Sequence, residues 1–187
     1  MVYVADQQAT PTESEIAWLA GIIEGEGTLA MAIYHHNGTA RQPKVGLKVI
    51  VYNSDAGIMR QVVSVVSRLM IGHHIREREL PPMRKPSGEG HYQPTAPMMI
   101  MTIGKMSDID TVLKAIRPWL YGDKAARADL MLQFLDRRAQ KNNGKRTLYD
   151  AGDIRLVLDF ARLGRRQGTD LTERVLNELE QSAAEQR

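Results

Sequence analysis

Hydrophobic and polar positions along the chain change period several times, and each change marks an element. Ile16, Leu19, Ala20, Ile22 and Ile23 recur at helical spacing. Thr12 followed three residues later by Glu15 has the form of a capping box, so a helix is expected to start near Glu13. At Gly27 the period falls to two: Leu29, Met31 and Ile33 alternate with Thr28, Ala30, Ala32 and Tyr34, which predicts a strand over residues 28–36. Asn37-Gly38 opens a turn too long for a tight hairpin. A second strand, 44–53, puts Leu47, Val49 and Val51 on one face and Lys48, Ile50 and Tyr52 on the other. Ser54 or Asp55 caps a helix that reaches about Met70, with Ile58, Val62, Val65, Val66 and Leu69 inward and Gly72 ending it. Strands are expected over 73–80 and 98–104, separated by LPPMRKPSGEGHYQPTAP (80–97), whose prolines and glycines predict a long loop. Ser107 caps a helix ending near Pro118, a longer helix covers 123–141, and two amphipathic helices, 151–163 and 170–183, close the chain.

A chain of 187 residues buries a full core and fits one domain with an appendage. It contains no cysteine, which excludes disulfides, thiolate zinc sites and cysteine nucleophiles and suits a reducing compartment. The opening MVYVADQQATP lacks the features of a signal peptide, and no apolar run approaches the length of a membrane span. A soluble, intracellular protein of the cytoplasm or an organelle matrix, with no membrane partner, is expected. The formal net charge of +3 is unevenly spread. Residues 1–29 carry five acids and no Lys or Arg, whereas residues 30–105 carry ten basic and four acidic groups and all five histidines. Positive potential is thus concentrated where an anionic polymer would bind.

The chemistry centres on Ala17 to Leu29, AWLAGIIEGEGTL. Ala17, Gly21 and Gly25 fall four residues apart and form one stripe of the helix. A glycine inside a helix costs about 0.5–1 kcal/mol relative to alanine, so two on one stripe suggest that another backbone comes close there. If two copies pack along that stripe, the Glu26 carboxylates at the foot of both helices converge and require cations. Hard oxygen ligands of this kind suit Mg²⁺, which works through one or two carboxylates plus phosphate oxygens and water. The alternative is that Gly25 and Gly27 only cap the helix, with Glu24 and Glu26 solvated beside them.

Leu19-Ala20-Gly21-Ile22-Ile23-Glu24-Gly25-Glu26-Gly27 resembles the signature helix of the LAGLIDADG homing endonucleases over nine consecutive positions. The resemblance implies an α+β fold, an αββαββα saddle with an antiparallel sheet, here followed by a C-terminal helical extension. It implies a division into an N-terminal arm (1–12), an endonuclease domain (13–142) and the extension (143–187). It also implies that Glu26 is the metal-binding acid, with glutamate in place of the usual aspartate, and that the Gly25 carbonyl helps to hold the metal, Mg²⁺ or Mn²⁺. Glu24 matches a position with a supporting role and is not assigned to metal.

On the same resemblance the open face of the sheet lies in the DNA major groove, where each base pair shows a distinct donor and acceptor pattern. Tyr34, His36, Arg41, Lys44, Lys48, Tyr52, Arg76 and Arg78 are the expected DNA-facing positions. Arg76 and Arg78 are suited to guanine, or alternatively to pairing with nearby acids. Tyr34 and Tyr52 also fit as half-buried sheet aromatics. His73-His74 is a poor chelate, because neighbouring strand residues face opposite sides. The segment RPWLYGDKAARADLMLQFL matches the helix start where the family places a basic residue near the scissile phosphates. Lys124 is the match, Asp123 a competing placement, and a solvated Lys124 the bland reading. Asn53 or Asp55, with Asp55 the closer fit, would orient water.

One signature helix occurs, so a homodimer with Ala17, Gly21 and Gly25 at its interface is expected. The expected function is cleavage of both strands of double-stranded DNA at a palindromic or near-palindromic target, leaving 3′ overhangs. A non-cleaving DNA-binding regulator and an intron RNA maturase are the alternatives. Lys145, Arg146, Arg165 and Arg166 are candidates for further phosphate contacts from the extension.

Overall fold

The computed structural model of the chain describes residues 10–34, 44–84, 87, 89–94, 96–142, 148–164 and 170–185. Helix α1 (Glu13–Glu26) leads straight into β1 (Gly27–Tyr34), which pairs with β2 (Lys44–Asn53). Helix α2 (Ala56–Arg68) follows, then β3 (His74–Arg78), the two-residue strands β4 (Met83–Arg84) and β5 (His91–Tyr92), and β6 (Met98–Ile103). Helix α3 (Met106–Ile116), a 3₁₀ turn (Arg117–Trp119), α4 (Gly122–Asn142), α5 (Ala151–Leu163) and α6 (Asp170–Glu185) complete the order. The main sheet is antiparallel in the order β1-β2-β6-β3, so β1 and β3 are its edges.

Period-two alternation sorts the sheet into two faces. Leu29, Met31, Ile33, Val45, Leu47, Val49, Val51, Met101 and Ile103 are buried in one cluster with Leu19, Ala20 and Ile23 of α1 and Met59, Val62, Val65 and Val66 of α2. Transfer of such side chains from water is the main stabilising term of the fold. The helices therefore cover the odd-numbered face of β1 and β2 and leave the even-numbered face open. The same cluster continues into Ile154, Val157, Leu158 and Phe160 of α5 and Val175 and Leu176 of α6, across the boundary expected near residue 142.

Helix α5 is also tied down by charge. Asp153, fully buried, accepts from Arg137 Nε at 3.2 Å, Arg138 Nη1 at 3.2 Å and Lys141 Nζ at 3.1 Å, all from the last turns of α4. It also closes a capping box with Asp150 at the start of α5. The guanidinium of Arg138, itself buried, lies 4.5 Å from the ring centroid of Tyr149.

Several expectations shift. The first strand is described to Tyr34, and residues 35–43 lie outside the described residues. The third strand is shorter than residues 73–80, and the segment expected as a long loop contains the β4-β5 pair. Helix α2 is ended by Met70 rather than Gly72. Met70 takes φ 58°, its N–H bonds Ser67 O, and the Ile71 N–H reaches back to Val66 O, the double closure that a left-handed residue makes possible. Ile71 is buried and anchors that end, while Gly72 donates its N–H to Asp108 Oδ2 at 3.0 Å. Ser107 does not cap α3. Lys105 occupies the cap position without a side-chain bond, and the Ser107 hydroxyl donates to Asp108 Oδ1, so Asp108 fixes this helix start by holding Gly72.

Candidate functional site

Both ends of α1 are locked by contacts distant in sequence. At its start the capping box is complete, with Thr12 N–H donating to Glu15 at 2.8 Å and Glu15 N–H donating to Thr12 Oγ1 at 3.3 Å. Arg68, at the end of α2, makes a two-pronged ion pair with the same carboxylate, through Nη1 at 3.1 Å and through Nη2. Its guanidinium, helped by the Thr12 N–H, holds the Glu15 carboxyl down at about 2.

At the other end, α1 carries two acids and no base in its last turn, against the direction of its dipole. The opposing charge comes from α4. Lys124 Nζ donates to Ile23 O at 2.5 Å and to Glu24 O at 2.6 Å, so it caps the helix across about a hundred residues of chain. Burial pushes the Lys124 ammonium below its usual range, and the Glu24 charge works against that shift. The Tyr121 N–H approaches Glu24 Oε2 at 3.5 Å. Glu24 and Glu26 are exposed. Gly27 is required at the junction, because a Cβ there would sit 2.6 Å from Ile23 O.

Ala17 is half-buried, and Gly21 and Gly25 are exposed. A Cβ on either glycine would meet nothing within 4 Å. No packing among the described residues therefore accounts for two glycines in this helix.

The open face of the sheet is read from the register. Its rows are Tyr34 with Lys44, Ala32 with Gly46, Ala30 with Lys48, and Thr28 with Ile50, Thr102 and His74. Tyr52, Ile100 and Arg76 form another row, and Met98 pairs with Arg78. Lys44, Lys48, Arg76 and Arg78 are exposed, Tyr34 is exposed, and Tyr52 is half-buried. Among the described strand residues on this face of the main sheet there is no Asp or Glu. His74 joins this face. Weighing it only as a metal ligand beside His73 missed its shared parity with Arg76 and Arg78, which was the available signal. His36 and Arg41 lie outside the described residues, as do Lys145, Arg146, Arg165 and Arg166.

Of the two polar candidates at the end of β2, Asp55 is the N-cap of α2. Its Oδ1 accepts from Gly57 N–H at 2.7 Å and Ile58 N–H at 3.0 Å. Asn53 Oδ1 accepts from the Asp55 N–H at 2.7 Å, which orients its amide group.

No protein-family model matches the chain, and no curated protein matches it by sequence. Solved structures do match. The chain is similar to the homing endonuclease I-CvuI, solved with DNA in the presence of Mg and uncleaved, at 16% identity and TM-score 0.60, over 90% of this chain and 96% of that one. It is similar to the homing endonuclease I-TnaI at 13% identity and TM-score 0.57, over 91% and 99%. It is also similar to the LAGLIDADG meganuclease I-CpaMI, bound to uncleaved DNA, at 15% identity and TM-score 0.60, over 88% of this chain and 51% of that one. The fold is that of the LAGLIDADG homing endonucleases.

Within this LAGLIDADG fold, Glu26 is the last residue of α1, immediately before β1. Among the described residues no group of three or more His, Asp or Glu side chains is placed to hold a metal. The described residues of one chain thus offer no protein cage of the kind Zn²⁺ or Ca²⁺ takes. An exposed carboxylate beside a glycine carbonyl, needing phosphate oxygens and a second carboxylate to complete the shell, fits the habits of Mg²⁺. No helix among the described residues is long and apolar enough to cross a membrane.

Proposed function

We propose that this protein is a site-specific endonuclease that hydrolyses both strands of duplex DNA as a homodimer joined through α1. The observation that carries the reading is one sheet face with four exposed cations and no acid among its described strand residues, on the sheet whose first strand follows the exposed Glu26 directly. A polyanion is favoured along such a surface, whereas an exposed acid at its end repels phosphate unless a cation is bound there.

The glycine stripe supports a second copy. Two subunits related by a two-fold axis would bring two Glu26 side chains together and present two equivalent sheets to a palindromic or near-palindromic target. Glu26 and the Gly25 carbonyl of each copy would hold Mg²⁺, or Mn²⁺ in its place, together with phosphate oxygens, and the bound ion would supply an activated water and charge neutralisation at the scissile phosphate. The chain's own residues do the rest. Lys44, Lys48, Arg76 and Arg78 bind the backbone and base edges and fix the duplex in register. The amide of Asn53, held from one side by Asp55, orients the attacking water for in-line displacement of the 3′ oxygen, with 3′ overhangs as the product. Lys124, beside the same helix end, places positive charge where the phosphate develops negative charge.

The test is incubation of the protein with Mg²⁺ and a library of duplex targets, alongside Glu26→Gln, followed by sequencing of the cut ends. Cutting at one near-palindromic site, absent in the variant, is expected. Binding without cutting in either Mg²⁺ or Mn²⁺ would favour the second reading, a DNA-binding regulator on the same fold. That reading is favoured by the commitments of two candidate catalytic groups, since Asp55 caps α2 and Lys124 caps α1.

A further inference from the structure

The open face has one feature that charge does not explain. On β2, Gly46 lies between Lys44 and Lys48, and its partner on β1 is Ala32. The ring of Tyr34, from the neighbouring row, lies over it: a Cβ on Gly46 would fall 2.4 Å from Tyr34 Cε2 and 3.1 Å from Cδ2. Real Cβ atoms do not approach so closely, so the ring occupies the space that any other residue's side chain would take. Ala30 and Ala32 extend the same small, apolar surface along β1. Tyr34 remains 47% exposed in this position. The arrangement is a flat apolar patch, one aromatic ring and two methyl groups, between two exposed lysines on a face otherwise suited to phosphate.

Resting on the reading of this face as a DNA interface, we infer that the Tyr34–Gly46 patch is a specificity-determining subsite for the C5-methyl group of thymine. The major groove shows donors and acceptors from every base but only one apolar group, the thymine methyl, and apolar side chains are its complement. Apart from the Tyr34 hydroxyl the patch offers no side-chain hydrogen-bonding group, so its ring carbons and methyl groups leave an amino group or carbonyl set against them without a partner. Lys44 and Lys48 beside it hold the flanking phosphates. Gly46 is a positioning residue: it touches no base and acts by giving the Tyr34 ring its resting place.

The experiment reads binding, so it does not depend on cleavage. The full-length protein, in Ca²⁺, selects from a randomised duplex pool, and the recovered duplexes are sequenced. Each fixed thymine is then replaced by deoxyuridine, which deletes the methyl group and nothing else. One position per half-site is expected to lose about fourfold in affinity, the effect of burying one methyl-sized group. With Gly46→Ala, which displaces the ring, the loss is expected to vanish while the salt dependence of binding stays unchanged. Tyr34→Ala, which leaves the β2 backbone alone, is expected to abolish the discrimination in the same way. A selected sequence with no fixed thymine, or equal affinity for thymine and uracil in the unaltered protein, overturns the subsite and leaves the DNA reading standing. Unchanged discrimination in both variants overturns the assignment to this patch. Retention of duplexes with no sequence preference overturns the subsite, and no retention of duplex DNA at all overturns the DNA reading itself and the subsite with it.

Discussion

Gly21→Ala separates a monomer from an α1-paired dimer by sign as well as size. Within one chain the added Cβ meets nothing within 4 Å, so only the intrinsic preference of the helix changes. Alanine is favoured over glycine there by about 1 kcal/mol, and an isolated chain gains that much stability. In a dimer packed along Ala17, Gly21 and Gly25, two new methyl groups enter a contact that only glycine admits. Overpacking costs about 1–3 kcal/mol per site, so a symmetric pair loses about 2–6 kcal/mol of association energy. At about 1.4 kcal/mol per tenfold, the dimer dissociation constant rises by about 30-fold at the low end. Sedimentation equilibrium over a range of concentrations measures the constant directly, and urea unfolding of dilute protein measures the monomer gain. Gly21→Ala with unaltered self-association and a raised urea midpoint would refute the pairing through this stripe.

Asp153→Ala should destabilise the protein by about 3–5 kcal/mol in urea titration at fixed protein concentration, because it removes the buried carboxylate that the buried Arg138 guanidinium pairs with. Asp150→Ala, which removes an exposed cap, should cost only about 1 kcal/mol. Met70→Gly should stabilise the fold by about 0.5–1 kcal/mol, since an 89% exposed side chain is held at φ 58° where glycine is unstrained; an unchanged or lower melting temperature would contradict this. Glu15 titrates at about 2 in the fold against an ordinary 4.5, and Asp150 at about 2 against 3.8. Both folded values are depressed, so their contribution is complete above about pH 4.5 and is lost as the pH falls toward 2. Glu15→Gln should therefore flatten the acid limb of the stability curve, and a limb of unchanged slope would show that the Arg68 pair does not carry it.

The elements with strong periodicity were legible from the residues. Thr12 and Glu15 mark the start of α1, and the alternation from Leu29 to Ile33 and from Val45 to Val51 separates buried from open positions, because each side chain obeys a local geometric rule. Lys48 lies on the open face by that parity, whereas Arg76 and Arg78 belong to β3, whose five residues are all exposed, so their expected place came from the resemblance and their row is set by the pairing with β6. Contacts between remote segments were not legible. Nothing near Lys124 indicates that its ammonium binds the carbonyls of Ile23 and Glu24, and nothing near Asp153 indicates three cations on α4. The local misses have local reasons. Met70 takes a conformation that glycine statistics would give to Gly72, and two-residue strands such as β4 and β5 are too short to show a period. Ser107 lost its capping role because Asp108 binds both its hydroxyl and the Gly72 N–H.

For a chain that pairs through α1 as proposed, the continuity of the buried cluster from α1 to α6 limits how two copies can be joined into one polypeptide. A tandem gene fusion has to keep Ile154, Phe160, Val175 and Leu176 in the first half, since cutting after α4 would expose the cluster that includes Met131 and Phe134. It also has to begin the second half ahead of Thr12, so that the cap and its Arg68 partner survive. A linker placed between those limits would replace pairing at cellular dilution with pairing at the millimolar effective concentration of a short tether. Under the proposed function the two halves could then diverge, each sheet reading its own half of a target that no longer has to be a palindrome.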